Sequence, residues 1–184
     1  QPIEEPACTV DDPARLQALA RYQILDTEFE AAFDGIVALA AKVFNAPIAV
    51  INFVDANRQW VKAETGLGIR ETPLDISICR HAILEHDTLV IHDTLADPRT
   101  ADNPLAMASQ NGLRFYAGAL LKSGQHALGT LCVLDYTPRE FTPEQLEALS
   151  LMRDQVMHLL EFRRHHMANR QLVSDLDASR HELQ

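Results

Sequence analysis

Residues 112–135, GLRFYAGALLKSGQHALGTLCVLD, leave this chain little freedom in what it folds into. Leu113, Phe115, Ala117, Ala119 and Leu121 fall on one face of an extended strand, and Tyr116, Gly118 and Leu120 give the opposite face no charge. The return segment, 127–134, interrupts its apolar residues only at Gly129 and Thr130, the pattern of a central strand covered on both sides. Ser123-Gly124-Gln125 supplies the turn between them. A hairpin buried on two faces needs two sets of covers, which the rest of the chain must provide.

The first cover is helical. Residues 1–12 are rich in Pro and Glu and are expected to be flexible, until Asp12-Pro13 gives an N-cap with proline at the first helical position. Leu16, Leu19 and Tyr22 then share one side of a short helix. Thr27 and Glu30 have the spacing of a capping box for a longer one, whose apolar positions Phe29, Phe33, Ile36, Val37, Ala40, Val43 and Phe44 keep the helical repeat to about Asn45. Ile48 to Val54 is β-rich, Asp55-Ala56-Asn57 is a turn, and Gln59 to Glu64 reads as the returning strand. Trp60 on that strand is read as packing rather than as a ligand contact.

The second cover is less regular. Residues 65–77 read as loop, followed by a helix capped by Asp75 or Ser77 and running to about Glu85, with Ile76, Ile78, Cys79, Ala82 and Ile83 on one face. Cys79 near its start is read first as a small buried apolar residue, and second as a thiol whose anion the helix end would favour. His81 has the spacing to pair with Glu85. Leu89 to His92 is a short strand, residues 93–104 form a loop dense in Asp and Pro, and a brief helix is expected over 105–110. Asp93, Asp97 and Asn103 in that loop either contact a ligand or make Asx turns and pair with Arg99.

Thr142-Pro143-Glu144-Gln145 combines an N-cap, a proline and a capping glutamine, and starts the last helix. Leu149, Met152, Val156 and Leu159 keep a/d spacing in its first half. In the second half Phe162, Asn169, Leu176 and Leu183 recur every seven residues with Leu172 between them. That is a short coiled-coil seam, and Asn169 at an a position is a residue that fixes a parallel dimer and its register. A homodimer is therefore expected. The sequence starts at Gln1 and stops inside this helical pattern, so a longer protein with further domains is expected.

Charge and cysteine usage narrow the partners. The formal net charge of -10 opposes binding to a phosphate backbone, so no nucleic-acid partner is expected. Three cysteines without CxxC or Cys/His spacing argue against a disulfide framework or structural zinc, and fit a reducing cytoplasmic setting. No apolar run reaches the roughly 18 residues of a membrane span, so no membrane contact is expected. His158, His165, His166 and His181 lack an i, i+4 metal pair, and no metal is expected. No Ser/His/Asp order or phosphate-cradling glycine loop points to catalysis.

The ordered segments RLQALARYQILDTEFEAAFDGI, INFVDANRQWVKAETGL, ETPLDISICRHAI, DTLADPRTADNP, LRFYAGALL and LGTLCVLDYTPREFTPEQ resemble a GAF domain of the bacterial signal-transduction type. The resemblance covers residues 13–162, leaving 163–184 as the start of a coiled-coil linker. It implies an α+β fold with a six-stranded antiparallel sheet, two long helices on one face, and a small-molecule pocket walled by short helices and loops on the other. That pocket would draw on Phe115, Tyr116, Ala117, Cys79, Asp93, Asp97 and Asn103, and whether Phe115 or Tyr116 faces inward depends on strand register.

The resemblance also has departures. The NKFDE set of cyclic-nucleotide GAF domains has no counterpart here. Bilin-binding members carry Cys followed by His, whereas Cys79-Arg80-His81 interposes an arginine, so bilin is not expected. Cys79 and Cys132 lie in apolar runs unlike the cysteine loops of GAF-type methionine sulfoxide reductases. The expectation is a non-catalytic sensory input domain with an unidentified small-molecule ligand. It would signal through its last helix to a histidine kinase or, second, a diguanylate cyclase. A ligand-free dimerisation module is the alternative, and redox sensing at Cys79 a third.

Overall fold

A computed structural model describes residues 9–183, so Cys8 and most of the segment expected to be flexible lie outside the described residues. Six strands form one antiparallel sheet in the order β3-β2-β1-β6-β5-β4. They are β1 (Ile48–Val54), β2 (Arg58–Thr65), β3 (Glu71–Pro73), β4 (Thr88–Ile91), β5 (Phe115–Ser123) and β6 (His126–Asp135). The expected hairpin is β5 and β6, with Gly124 turning at φ +59. β6 is central, pairing with β5 on one edge and β1 on the other. Its apolar run is thus buried on both faces.

Alternation sorts the strand residues onto two cores. Ala49, Ile51, Phe53, Phe115, Ala117, Ala119, Leu121, Leu131 and Val133 pack under α1 (Pro13–Ala20), α2 (Ala31–Val43) and the first half of α5 (Pro143–Glu182). Trp60 belongs to this core, stacked on Phe53 with ring centroids 6.5 Å apart, which is the packing role expected for it. Val50, Val54, Tyr116, Leu120, Cys132 and Leu134 face the other way, under α3 (Cys79–Ala82) and the loops around α4 (Pro104–Met107). Leu113 lies on this second side, unlike its expected strand-mates, because β5 starts only at Phe115 and Leu113 is still in loop.

The covers show how local signals yield to tertiary ones. Asp12 caps α1 as expected, and the Thr142/Gln145 box opens α5 with both of its hydrogen bonds made. The box expected at Thr27 and Glu30 is absent. Lys62 of β2, wholly buried, donates to Thr27 Oγ1 at 2.9 Å, to the Glu28 carbonyl at 2.6 Å and to Glu30, so α2 starts uncapped after Glu30. An ammonium in a dry site needs several acceptors, and that demand outweighs one cap. Phe29 consequently stays half exposed, its ring 4.0 Å from the Arg70 guanidinium. Residues expected as plain loop hold β3, an edge strand of three residues, and α3 spans four residues instead of reaching Glu85.

The same network fixes the point where α5 leaves the globule. Arg163 donates to Glu30 at 3.0 Å and to the carbonyls of Tyr22 and Gln23, while the Tyr22 hydroxyl donates to Glu161. Before this point α5 buries Leu149, Val156 and Leu160 against the sheet. Beyond it the described residues of α5 lie along solvent. A chain of charged contacts, buried at Lys62 and part exposed at Glu30, therefore runs from β2 to the exit of α5.

Candidate functional site

The second face of the sheet holds a polar cluster within an apolar shell. Asn52 on β1 and Thr130 on β6 are paired across the ladder, and both are fully buried. Asn52 Nδ2 donates to Thr130 Oγ1 at 2.9 Å and lies 3.3 Å from Cys79 Sγ and 3.7 Å from Cys132 Sγ. The Tyr116 hydroxyl donates to Cys79 Sγ at 3.3 Å and the Thr130 hydroxyl at 3.4 Å. Gly118 makes this possible: a Cβ there would meet Tyr116 Cζ at 2.8 Å, so the phenol ring lies flat across position 118 to reach the sulfur. Asn52 Oδ1 is buried without a hydrogen-bond partner.

These donors decide the chemistry of Cys79. Burial alone would raise its pKa, but hydrogen bonds from Cys132, Thr130, Tyr116 and Asn52 outweigh it and bring the thiol down to about 7. Hydrogen bonding to Cys79 and burial push the Cys132 thiol well above its ordinary value. The Tyr116 phenol is likewise raised, by burial first and by the Cys79 charge second. Of these three groups Cys79 is thus the one that gives up its proton first, with its neighbours remaining donors. The helix end expected to favour it is the first residue of a four-residue turn, and side chains supply the stabilisation instead.

Against this cluster lies a cavity of about 70 Å³. Val50, Ile69, Leu105 and Leu134 form much of its apolar wall, and Cys79, Tyr116 and Cys132 reach it from the polar cluster. Gln59 and Ser77, hydrogen-bonded to each other across β2 and the turn before α3, give it a polar edge. Typical ligand pockets run to about 300–1,000 Å³, so this space admits a fragment-sized molecule and nothing larger unless the loops move. Larger concavities of about 320 and 470 Å³ lie along α5 and open to solvent.

The structure brings some of the anticipated pocket residues together and separates the rest. Cys79 and Tyr116 line the cavity. Phe115 and Ala117 do not, because the register turns them into the opposite core, Phe115 against Phe141 at 5.6 Å. Asp93 pairs with Arg114 at 2.9 Å and caps Leu95, and Asp97 holds Arg99 at 2.7 Å; these arginines pull both carboxyls below the usual range. Asn103 caps α4 through Leu105 N and donates to the Ile76 carbonyl. Glu85 turns to Arg99 rather than to His81, whose Nε2 is buried without a hydrogen-bond partner. Sequence reading missed Asn52, Thr130, Gln59 and Ser77; the signal was Asn52 and Thr130, lone polar residues inside apolar strands.

Along the far half of α5, Phe162, Leu172, Leu176 and Leu183 are all exposed, Phe162 at 71% and Leu176 at 69%, and Asn169 lies among them. Among the described residues no three His, Cys, Asp or Glu side chains gather as metal ligands, and no helix is long and apolar enough to cross a membrane.

The comparisons with known proteins agree with this geometry. A cyclic di-GMP phosphodiesterase of Pseudomonas aeruginosa is 38% identical over 130 residues, which is 70% of this chain and 22% of that protein. The chain therefore spans about a fifth of that relative's length. A free methionine-R-sulfoxide reductase of Neisseria meningitidis, solved with its substrate, superposes with a TM-score of 0.62 at 18% identity, covering 84% of this chain and 88% of that one. The GAF domain of an Acinetobacter phosphoenolpyruvate-protein phosphotransferase does so at 0.60 and 16% identity, covering 82% and 95%. At such identities the structural matches establish the fold alone. The GAF domain family model matches residues 28–160, and with the six-stranded sheet and its two unequal faces the chain belongs to the GAF domain family.

Proposed function

We propose that this GAF domain is a sensory input module, in which a small ligand in the cavity beneath α3 shifts the position of α5 and so biases an output domain. One observation carries this reading: β2 presents Gln59 to the cavity on one face and, on the other, Lys62 to Glu30, the carboxylate that also holds Arg163. A ligand that takes over the Gln59–Ser77 hydrogen bond would pull on the strand that anchors the exit of α5. Such coupling requires differential affinity for two arrangements, of about 1–3 kcal/mol. The relative from Pseudomonas aeruginosa supports an output that turns over cyclic di-GMP, closer to the expected diguanylate cyclase than to a histidine kinase.

The seam on α5 supports a parallel homodimer. A 40-residue helix whose last turns, residues 168–182, are exposed along their whole length gains stability by packing on a second copy. Asn169→Ile is expected to tighten self-association or change its order, because Asn at an a position costs stability while restricting register. Light scattering across a concentration series reads this, and a monomer before and after the change would rule the seam out.

Ligand sensing is tested by screening fragment-sized metabolites by thermal shift on wild type and on Gln59→Leu. The reading predicts a ligand that raises the wild-type midpoint, fails with Gln59→Leu, and alters amide exchange around Arg163. A ligand without effect at Arg163 would leave binding intact and remove the coupling. Dimerisation without any ligand would favour the scaffold reading.

A further inference from the structure

We infer that Cys79 and Cys132 form a hydroperoxide-responsive dithiol, in which Cys79 attacks the peroxide and Cys132 resolves the product into a disulfide. Geometry carries the inference. Both sulfurs lie within reach of one donor, Asn52 Nδ2, at 3.3 Å for Cys79 and 3.7 Å for Cys132, and both line the same small cavity. Three further donors, on Asn52, Thr130 and Tyr116, converge on Cys79 Sγ. A buried thiol serving only as an apolar filler would not be so surrounded.

The cavity of about 70 Å³ in front of the two sulfurs has room for a hydroperoxide. The half-exposed Ile69 forms part of the cavity wall and offers the entry.

The chemistry balances without a further reactant. The Cys79 thiolate attacks one peroxide oxygen, the O–O bond breaks, and the leaving oxygen departs as hydroxide. Cys79 is then a sulfenic acid. The Cys132 sulfur attacks Cys79 Sγ, the S–O bond breaks, and the Cys132 proton leaves with that hydroxyl as water. The first hydroxide takes up the proton that Cys79 released. Two thiols are oxidised to one disulfide, and one hydrogen peroxide is reduced to two waters. Tyr116 and Thr130 act as positioning residues, holding the anion on Cys79.

The test uses the full 184-residue chain with Cys8→Ser, which removes the one other cysteine. After hydrogen peroxide, non-reducing peptide mapping is expected to show a Cys79–Cys132 link that dithiothreitol reverses. Cys132→Ala is expected to accumulate a dimedone adduct at Cys79, and Cys79→Ala to leave Cys132 reduced. The oxidation rate should climb as pH rises through about 7, where the Cys79 anion forms. Tyr116→Phe should slow it roughly tenfold at neutral pH, with Thr130→Val as the substitute if that variant fails to fold. Two free thiols recovered in denaturant after peroxide would overturn the inference, as would a Cys79 sulfinate beside a reduced Cys132. So would oxidation rates indifferent to Tyr116 and Thr130.

Discussion

Replacing Gly129 by alanine lowers the folding stability of the domain by about 3 kcal/mol or more. The added Cβ would overlap the Asn52 carbonyl oxygen and approach Phe53 Cα to 2.7 Å. Both obstacles are backbone atoms of β1, and Gly129 pairs with Phe53 at the centre of the sheet. No side-chain rotation relieves the overlap, so β1 and β6 must separate and the hydrogen bonds of the Asn52–Thr130 pair must stretch. Urea unfolding should show the midpoint falling with the slope unchanged. Gly35→Ala is the internal contrast: its Cβ meets nothing within 4 Å in the interior of α2, and the same substitution there should stabilise by about 0.5–1 kcal/mol. A loss below about 0.5 kcal/mol at Gly129, within the range of ordinary surface changes, would show that the strands yield more easily than their packing implies.

Lys62→Ala has the second large effect, a loss of about 2–3 kcal/mol. Removing one member of a buried ion pair costs about 3–5 kcal/mol, and the figure here is smaller because Glu30 is part exposed and keeps Arg163. The substitution leaves Thr27 Oγ1 and the Glu28 carbonyl without their ammonium.

Acidification probes the same group. Burial pushes the Glu30 carboxyl upward, but Lys62 and Arg163 outweigh burial and hold it below its ordinary value. A carboxyl lowered in the folded state adds stability that is fully present above its unfolded pKa, about 4.3, and is lost as pH falls through the folded value. Glu30→Gln should therefore flatten the acid limb of the stability profile. Amide exchange should report the loss of Lys62 at the N-terminus of α2 and around Arg163, with the centre of β6 protected. Uniform loss across the sheet would mean that Lys62 supports the whole core and not the exit of α5.

Periodicity was enough to locate the hairpin, the two long helices and the two-sided burial, because each depends on many residues with one preference. The apolar run of β6 and the Thr142 box are of this kind. What escaped depends on single residues satisfied from far along the chain. Thr27 and Glu30 carry the local form of a cap, yet Lys62, some 32 positions away from Glu30, claims both. Arg15, wholly buried, donates to the Val54 and Ala127 carbonyls, 39 and 112 positions away, and nothing in its neighbourhood announces this. The site was legible in the same proportion: Cys79 stood out by residue type, but its partners Asn52, Thr130 and Tyr116 meet it only after three strands have come into register. Phe115 and Ala117 went to the opposite face for the same reason, since one residue of register decides the side.

The unbroken course of α5 sets a mechanical scale. At 1.5 Å per residue the helix is about 60 Å long, and the part beyond Arg163 about 30 Å. Arg163, joined to Glu30 and to the carbonyls at the end of α1, then acts as a fulcrum. A tilt of about 5° there carries the far tip through about 2.6 Å, close to half the rise of a helical turn. Displacements too small to disturb the packing around Leu149 and Val156 become, at Leu183, large enough to change which residues of two such arms face each other.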